Sequence, residues 1–227
     1  MFSFYQFWEI LWEFKLAFLF GTFRTLWLSV AAIVLGTILG FGLALARRSS
    51  CRPIRWVAQI YVELFLAIPV LVLMIWIYYV MSPFFVHAIS DLLLKPWEVA
   101  VISLALSLAA FASENFRAGI ESVAKDQYEA AALDGASAWQ TMWQIVLPQT
   151  ILNVLPNLFG QYITVIKLSS LASVIAVYEL LHTSNNISST VYRPMEVYTI
   201  MAMIYLVMIM PMIMGVRLLE KQLQPPR

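Results

Sequence analysis

Long apolar stretches separated by short polar clusters set the pattern of this chain from end to end. About five of them suffice, at ~1.5 Å of helix per residue, to cross a hydrocarbon layer ~30 Å thick. The first predicted span runs from about Thr25 to Ala46 and is stopped by Arg47 and Arg48. The second, from about Trp56 to Val80, contains Glu63 and Pro69, and the proline is expected to free a backbone carbonyl. The third covers about Trp97 to Ala112, with helix continuing past Ser113. The fourth starts after Pro148, passes Pro156, Gly160 and Lys167, and ends near Leu181; its proline and glycine predict a broken helix. The fifth runs from about Val197 to Val216. Gly36, Gly40 and Ala44 lie four apart on one face of the first span, a stripe that lets a second helix approach closely.

Ahead of the first span, Phe2, Phe4, Tyr5, Phe7, Trp8, Leu11, Trp12 and Phe14 are interleaved with Glu9, Glu13 and Lys15. A signal peptide begins basic and ends in small residues, and this stretch does neither. It reads as an amphipathic helix lying on the membrane surface, the alternative being a frayed start of the first span. Residues 1–20 are therefore expected as an interfacial helix and 21–227 as the membrane domain. The expected fold is an all-α integral membrane protein.

Composition narrows the function. The chain is 62% apolar and 12% charged, with net charge +1, which excludes a water-soluble globular domain and makes nucleic acid an unsuitable partner. Cys51 is the single cysteine and the two histidines, His87 and His182, are far apart, so no disulfide, metal site or catalytic constellation is expected. A membrane-embedded enzyme therefore has little to work with. Arg47, Arg48, Arg52, Arg55, Arg117, Lys125, Arg217, Lys221 and Arg227 fall on one side of the predicted spans, against Lys15, Arg24, Lys95 and Arg193 on the other. This asymmetry puts the N-terminus outside and the C-terminus in the cytoplasm.

The cytoplasmic loop 121–148 carries the most local information. Asp126 is expected to cap a short helix, with Glu129 bonding back in a capping box, and Gly135 to supply the left-handed residue that ends it. Ser137 and Gln140 repeat the box for a second helix, Ala138 to Val146, before Leu147-Pro148 starts the return to the membrane. Neither helix is long enough to stand alone. The hairpin either rests on its own subunit or docks on a partner.

Glu129-Ala130-Ala131, Gly135, Ile145 and Leu147-Pro148 resemble, in type and spacing, the EAA loop of ABC-importer permeases. The resemblance covers roughly Gly21 to Leu219. Gly21-Thr22, Thr25-Leu26 and Ser29, the segment Glu114, Arg117, Gly119 and Ile120, the run Ile163 to Ser173, Glu179-Leu180, and Arg193 to Tyr198 are similar to the polar amino acid branch, the histidine, glutamine and glutamate type. The chain departs from that branch at Leu66-Ala67-Ile68-Pro69, which keeps only the proline of Arg-Gly-Thr-Pro. It also departs at Asp126 and at Leu168, where a polar residue is frequent.

The resemblance implies a type I importer-like fold in the bacterial inner membrane and a coupling loop at 121–148 that docks on an ATP-binding subunit. It implies two such subunits, a second permease subunit (identical or a paralogue) and a periplasmic or lipid-anchored solute-binding protein. No Gly-x-x-x-x-Gly-Lys-Ser/Thr run is present, so ATP and its magnesium belong to the partner and no cofactor is expected on this chain.

Charges inside a span cost at least ~2.5 kcal/mol and normally face a protein interior or a wet path. Glu63 and Lys167 are such residues. Gln161, Thr164 and Lys167 fall at three-residue spacing as one polar stripe, with Ser170 beyond it, and are read as lining a translocation path. The plainer reading has Lys167 pairing with Glu63 or Glu179, and Gln161 and Thr164 joining helices. Glu114 and Arg117, at i and i+3, form a helix-surface pair or a gate contact. The external partner is expected near His87 and Asn185, in an outer loop. The rival function is a carrier or channel that uses no ATP, with Glu63 and Lys167 as an ion-coupled pair.

Overall fold

The computed structural model describes residues 3–83 and 94–223, and all the regular structure among them is helical. His87 and Arg227 lie outside the described residues. In chain order the helices are α1 (Phe4–Glu13), α2 (Lys15–Arg47), α3 (Arg52–Ala67), α4 (Val70–Trp76), α5 (Pro96–Glu121), α6 (Lys125–Leu133), α7 (Ala138–Gln140), α8 (Leu147–Leu168), α9 (Leu180–Val191) and α10 (Pro194–Leu223). Among the described residues, four helical stretches are long and apolar enough to cross a membrane, and α3 with α4 makes a fifth that is bent by 105°.

The α2–α5 pair is the spine. Gly36, Gly40 and Ala44 are all buried, as the small-residue stripe requires. A Cβ added at Gly36 would lie 2.8 Å from the Ala105 carbonyl oxygen, and one at Gly40 2.6 Å from Ala112 Cβ. α5 answers with Ala100, Ala105, Ala109 and Ala112, all buried. Backbones this close gain dispersion contacts that larger side chains would block. Leu28, Leu73, Met74, Leu104, Leu108, Val165 and Ile175 complete the main core.

Proline did not act where the local pattern suggested. α8 runs unbroken through Pro156 and Gly160. Its N-terminal side is continuous with a π-helical turn, Thr141–Val146, and Leu147 keeps helical backbone angles. A wider turn just ahead of Pro148 accommodates the ring and the missing N–H that would otherwise end a helix. Val154 and Leu158, buried against Ala112 and Phe116 of α5, hold the Pro156 region straight. The span ends at Ile175 rather than near Leu181. A 3₁₀ stretch, Ser169–Ile175, closes on Ala176 at φ 59°. The true break is at Ile68-Pro69, where Ile68 is extended and α4 starts afresh.

Asn185 and Asn186 belong to helix α9, not to a loop. Glu179 caps that helix, accepting from the Leu181 and His182 N–H groups at 2.8 Å each. Thr25 Oγ1 accepts from Leu180 N–H at 3.1 Å, and the Tyr205 hydroxyl donates to Glu179 at 3.4 Å. This knot ties α2, α9 and α10 together. Glu179 lies outside the four long spanning helices, and burial pushes its carboxyl up to about 7 against the ordinary 4.5. The folded chain therefore holds this proton more tightly than the unfolded chain. That contribution to stability is complete below about 4.5 and is lost as pH rises through about 7. Glu179→Gln should flatten the fall of the unfolding temperature across that window; an unchanged pH profile would contradict the assignment.

α1 packs Phe7 and Ile10 against Leu180, Val197 and Ile200 and leaves Phe4, Tyr5, Trp8 and Trp12 exposed. It breaks at Phe14, one residue before α2 begins.

Candidate functional site

Two neighbouring features form the candidate path. The first is a cleft of about 280 Å³ at the α3–α4 break. Leu66, Ala67, Ile68 and Pro69 form one wall, Ser107 and Phe111 of α5 a second, and Gln161, Thr164 and Leu168 of α8 a third. Proline at 69 disfavours helix at Ile68, so the chain turns here and two helix ends face the cleft. Discontinuous helices of this kind recur at transport sites because their free backbone groups can meet a polar solute.

The second is a polar stripe on α8. Asn153, Asn157, Gly160, Thr164 and Lys167 recur every three or four residues on its open face, all of them exposed within the single chain. Only Thr164 and Lys167, with the adjacent Gln161, were expected from sequence; Asn153 and Asn157 extend the same period toward the α5–α6 end. Asn153 bonds Ser122 at 3.2 Å and, with Asn115, Asn157 and Glu220, borders a polar cavity of about 530 Å³.

Not every expected path residue reaches the cleft. Gln161 and Thr164 line it, whereas Glu63, Lys167 and Ser170 do not. Glu63 is exposed on α3 and accepts from the Gln59 amide at 2.6 Å. Ser170 Oγ donates to the Lys167 carbonyl at 2.8 Å. Lys167 forms no ion pair with Glu63 or Glu179 among the described residues. The paired arrangement weighed from sequence is absent, and its ammonium faces the open side of α8.

At the other end of the spine, Glu114 and Arg117 form the i, i+3 pair, and Arg117 also meets Glu121 at 2.7 Å. Arg47 of α2 completes the group, bonding Glu114 at 2.8 Å and Gln59 of α3 at 2.8 Å. Three helices thus meet on one guanidinium, that of Arg47. Arg47 is 9% exposed, so its charge depends on these partners far more than exposed pairs depend on theirs. Sequence had marked Arg47 as the stop of a span and one of the cations on the cytoplasmic side, with no partner named for it.

The 121–148 hairpin is built differently at its two faces. Ala124 rather than Asp126 occupies the N-cap of α6, and no side-chain cap is formed, because the helix starts two residues earlier than the capping box requires. The C-terminus follows expectation. Gly135 at φ 77° closes a Schellman turn, with Ala136 N–H bonding Ala131 O at 3.0 Å and Gly135 N–H bonding Ala132 O at 3.1 Å. Ser137 and Gln140 form the second capping box. Inside, Tyr128 and Met142 pack on Ile120, Val123 and Val146, while Ala131 and Leu147 are buried. Outside, Leu133 is 89% exposed and Trp139 69%, with Glu129 and Ala130 beside them. Anchored from below, the hairpin presents an unpartnered apolar tip.

Residues 32–225 match the family model described as "Binding-protein-dependent transport system inner membrane component". The chain belongs to this family. It is 35% identical to the probable glutamine ABC transporter permease protein GlnM of Bacillus subtilis (strain 168), over 90% of this chain and 92% of that one. It is 36% identical to the octopine transport system permease protein OccM of Rhizobium radiobacter, over 96% and 90%. A crystal structure of an amino acid ABC transporter with histidines contains a chain that superposes with TM-score 0.87 at 31% identity, over 98% of this permease and 99% of its counterpart. The bent second span, the uninterrupted α8 and the exposed hairpin therefore belong to an inner membrane transport component.

Proposed function

We propose that this permease carries a polar amino acid, or a close derivative of one, inward across the bacterial inner membrane under the power of a separate ATPase. The observation that carries the reading is the 121–148 hairpin: a capped, glycine-closed element anchored on α5 and α8 with Leu133 and Trp139 free to enter a partner. Relatives named for glutamine and octopine transport support the substrate class. In this reading two ATP-binding subunits, a second permease subunit and a solute-binding protein complete the importer, with the N-terminus outside and the hairpin in the cytoplasm. ATP and magnesium stay on the ATPase. Closure of the ATPases moves the hairpin, and α5 and α8 transmit that motion to the cleft and the polar stripe. Glu114, Arg117 and Arg47 brace α5 against α2 and α3 during the stroke. Gln161 and Thr164 meet the passing solute first, and Lys167 offers a cation for its carboxylate.

The test is uptake into proteoliposomes containing the permease with its co-purifying chains and binding protein. Labelled glutamine, cystine and octopine form the first panel, with and without ATP. ATP-dependent uptake of one panel member is expected, and Lys167→Gln should lower it about tenfold by weakening capture of the carboxylate. Equal uptake without ATP would overturn the reading, since the hairpin would then have nothing to couple.

A further inference from the structure

Away from the path, a cavity of about 560 Å³ opens between the N-terminal parts of α2 and α5. Its lining combines two cations, Arg24 and Lys95, with Trp27, Trp97 and Tyr178. The Arg24 guanidinium donates once, to the Tyr178 carbonyl at 3.3 Å, and no carboxylate pairs with it or with the Lys95 ammonium among the described residues. The nearby Glu98 carboxylate accepts from the Lys95 backbone N–H at 2.9 Å. A guanidinium carries five N–H donors and an ammonium three, so most of this donor capacity is unused. Two like charges bordering one cavity repel unless an anion lies between them.

The position of the cavity identifies what that anion is attached to. Trp27 is 63% exposed and continues the row Phe20, Phe23, Trp27, Val30, Val34 and Ile38, the outward face of α2. These apolar residues recur every three or four positions and stand clear of the rest of the chain, a face suited to lipid. Depth agrees. Arg24 and Arg47 stand roughly 35 Å apart along α2, slightly more than a hydrocarbon core of ~30 Å. Arg47 occupies one membrane boundary with Glu114, which places Arg24 at the other. There Trp27 and Trp97 sit at headgroup level, as interfacial tryptophans do. Leu28, Ala176 and Val177 form an apolar wall below the cations. Charge above and hydrocarbon below fit an amphiphile rather than a free ion.

We infer that this cavity is a binding site for one anionic phospholipid, its phosphate held by Arg24 and Lys95 and its upper acyl chain against Trp27 and Val177. An indole N–H from either tryptophan is available to the headgroup ester oxygens. The occupant would wedge α2 against α5 and the segment Ala176–Tyr178, next to the Thr25–Glu179–Tyr205 knot.

The experiment uses the full-length permease within its transporter complex, in detergent, with native mass spectrometry and thermal unfolding. Phosphatidylglycerol, phosphatidylcholine of the same chain length and inorganic phosphate are compared. Wild type should retain one phosphatidylglycerol about tenfold more strongly than phosphatidylcholine and be stabilised by it. R24Q/K95Q should lose that preference, R24K/K95R should keep it, and R52Q/R55Q, at the opposite boundary, should leave it intact. Equal retention of both lipids by wild type would overturn the inference, as would a preference that survives R24Q/K95Q. Loss of preference in R52Q/R55Q would place the lipid at the other boundary and overturn it too. Equal stabilisation by inorganic phosphate would show an anion site without a lipid. Failure of R24Q/K95Q to fold leaves R24K/K95R decisive, because a charge-based site keeps its preference there and a packing-based one does not.

Discussion

Gly135→Val should abolish ATP-driven uptake while leaving the permease inserted and folded. Gly135 sits at φ 77°, and a Cβ added there meets nothing within 4 Å, so the cost is conformational rather than steric crowding. A left-handed backbone costs an L-residue roughly 1–2 kcal/mol, and a β-branched one more. The hairpin has little to set against it, since α6 and α7 are too short to persist without packing. The two Schellman bonds, from Ala136 and Gly135, would be lost together. None of the spanning helices shares these contacts, so the unfolding temperature of the membrane domain should move little. Uptake and co-purification of the ATPase should both fall by at least tenfold. Gly135→Asn provides the comparison, because asparagine tolerates left-handed angles. It should retain most of the activity. If asparagine were as damaging as valine, the partner would be excluding any side chain there and the backbone argument would fail.

Gly40→Leu should fail earlier, at folding. Its Cβ would lie 2.6 Å from Ala112 Cβ and 2.8 Å from the Ala109 carbonyl oxygen, both on the facing helix and neither able to rotate away. Overpacking a tight contact ordinarily costs ~1–3 kcal/mol, and four added carbons against rigid backbone belong at the upper end or beyond. Little monodisperse protein should be recovered from membranes. Gly42→Leu lies on the same helix, where an added Cβ meets nothing within 4 Å. It should accumulate like wild type, which separates crowding from any general effect of leucine in α2. Recovery of Gly40→Leu at wild-type yield would refute the tight α2–α5 contact.

Much of this architecture was legible in the sequence where a local rule had no competitor. The Gly36–Gly40–Ala44 stripe, the glycine-closed hairpin and the Ser137–Gln140 box each depend on residues within a few positions of one another. Features set by distant partners were not. Asp126 has the chemistry of a cap, yet the helix starts earlier, because Tyr128 and Met142 dock on Ile120 and Val146 and fix its register. Pro156 looks like a breaker, but α5 packs along α8 on both sides of it. Pro69 does break its span because Ile68 adopts the extended angles that proline favours in its predecessor. Arg47 gave no sign of its role, since Gln59 and Glu114 are 12 and 67 residues away. The Asn153–Asn157 extension of the polar stripe was readable from period alone.

The contact between α2 and α5 also limits how this chain can move. With Gly36 and Gly40 pressed onto the Ala105 and Ala109 carbonyls, neither helix has room to roll or slide on the other. They form a girder. Among the described residues, the one pair of apolar helices sharply bent at a short break is at Ile68-Pro69, where α3 and α4 meet at 105° beside the cleft. In the import cycle proposed above, a push at the hairpin would move this girder as one piece and be taken up as rotation at that elbow.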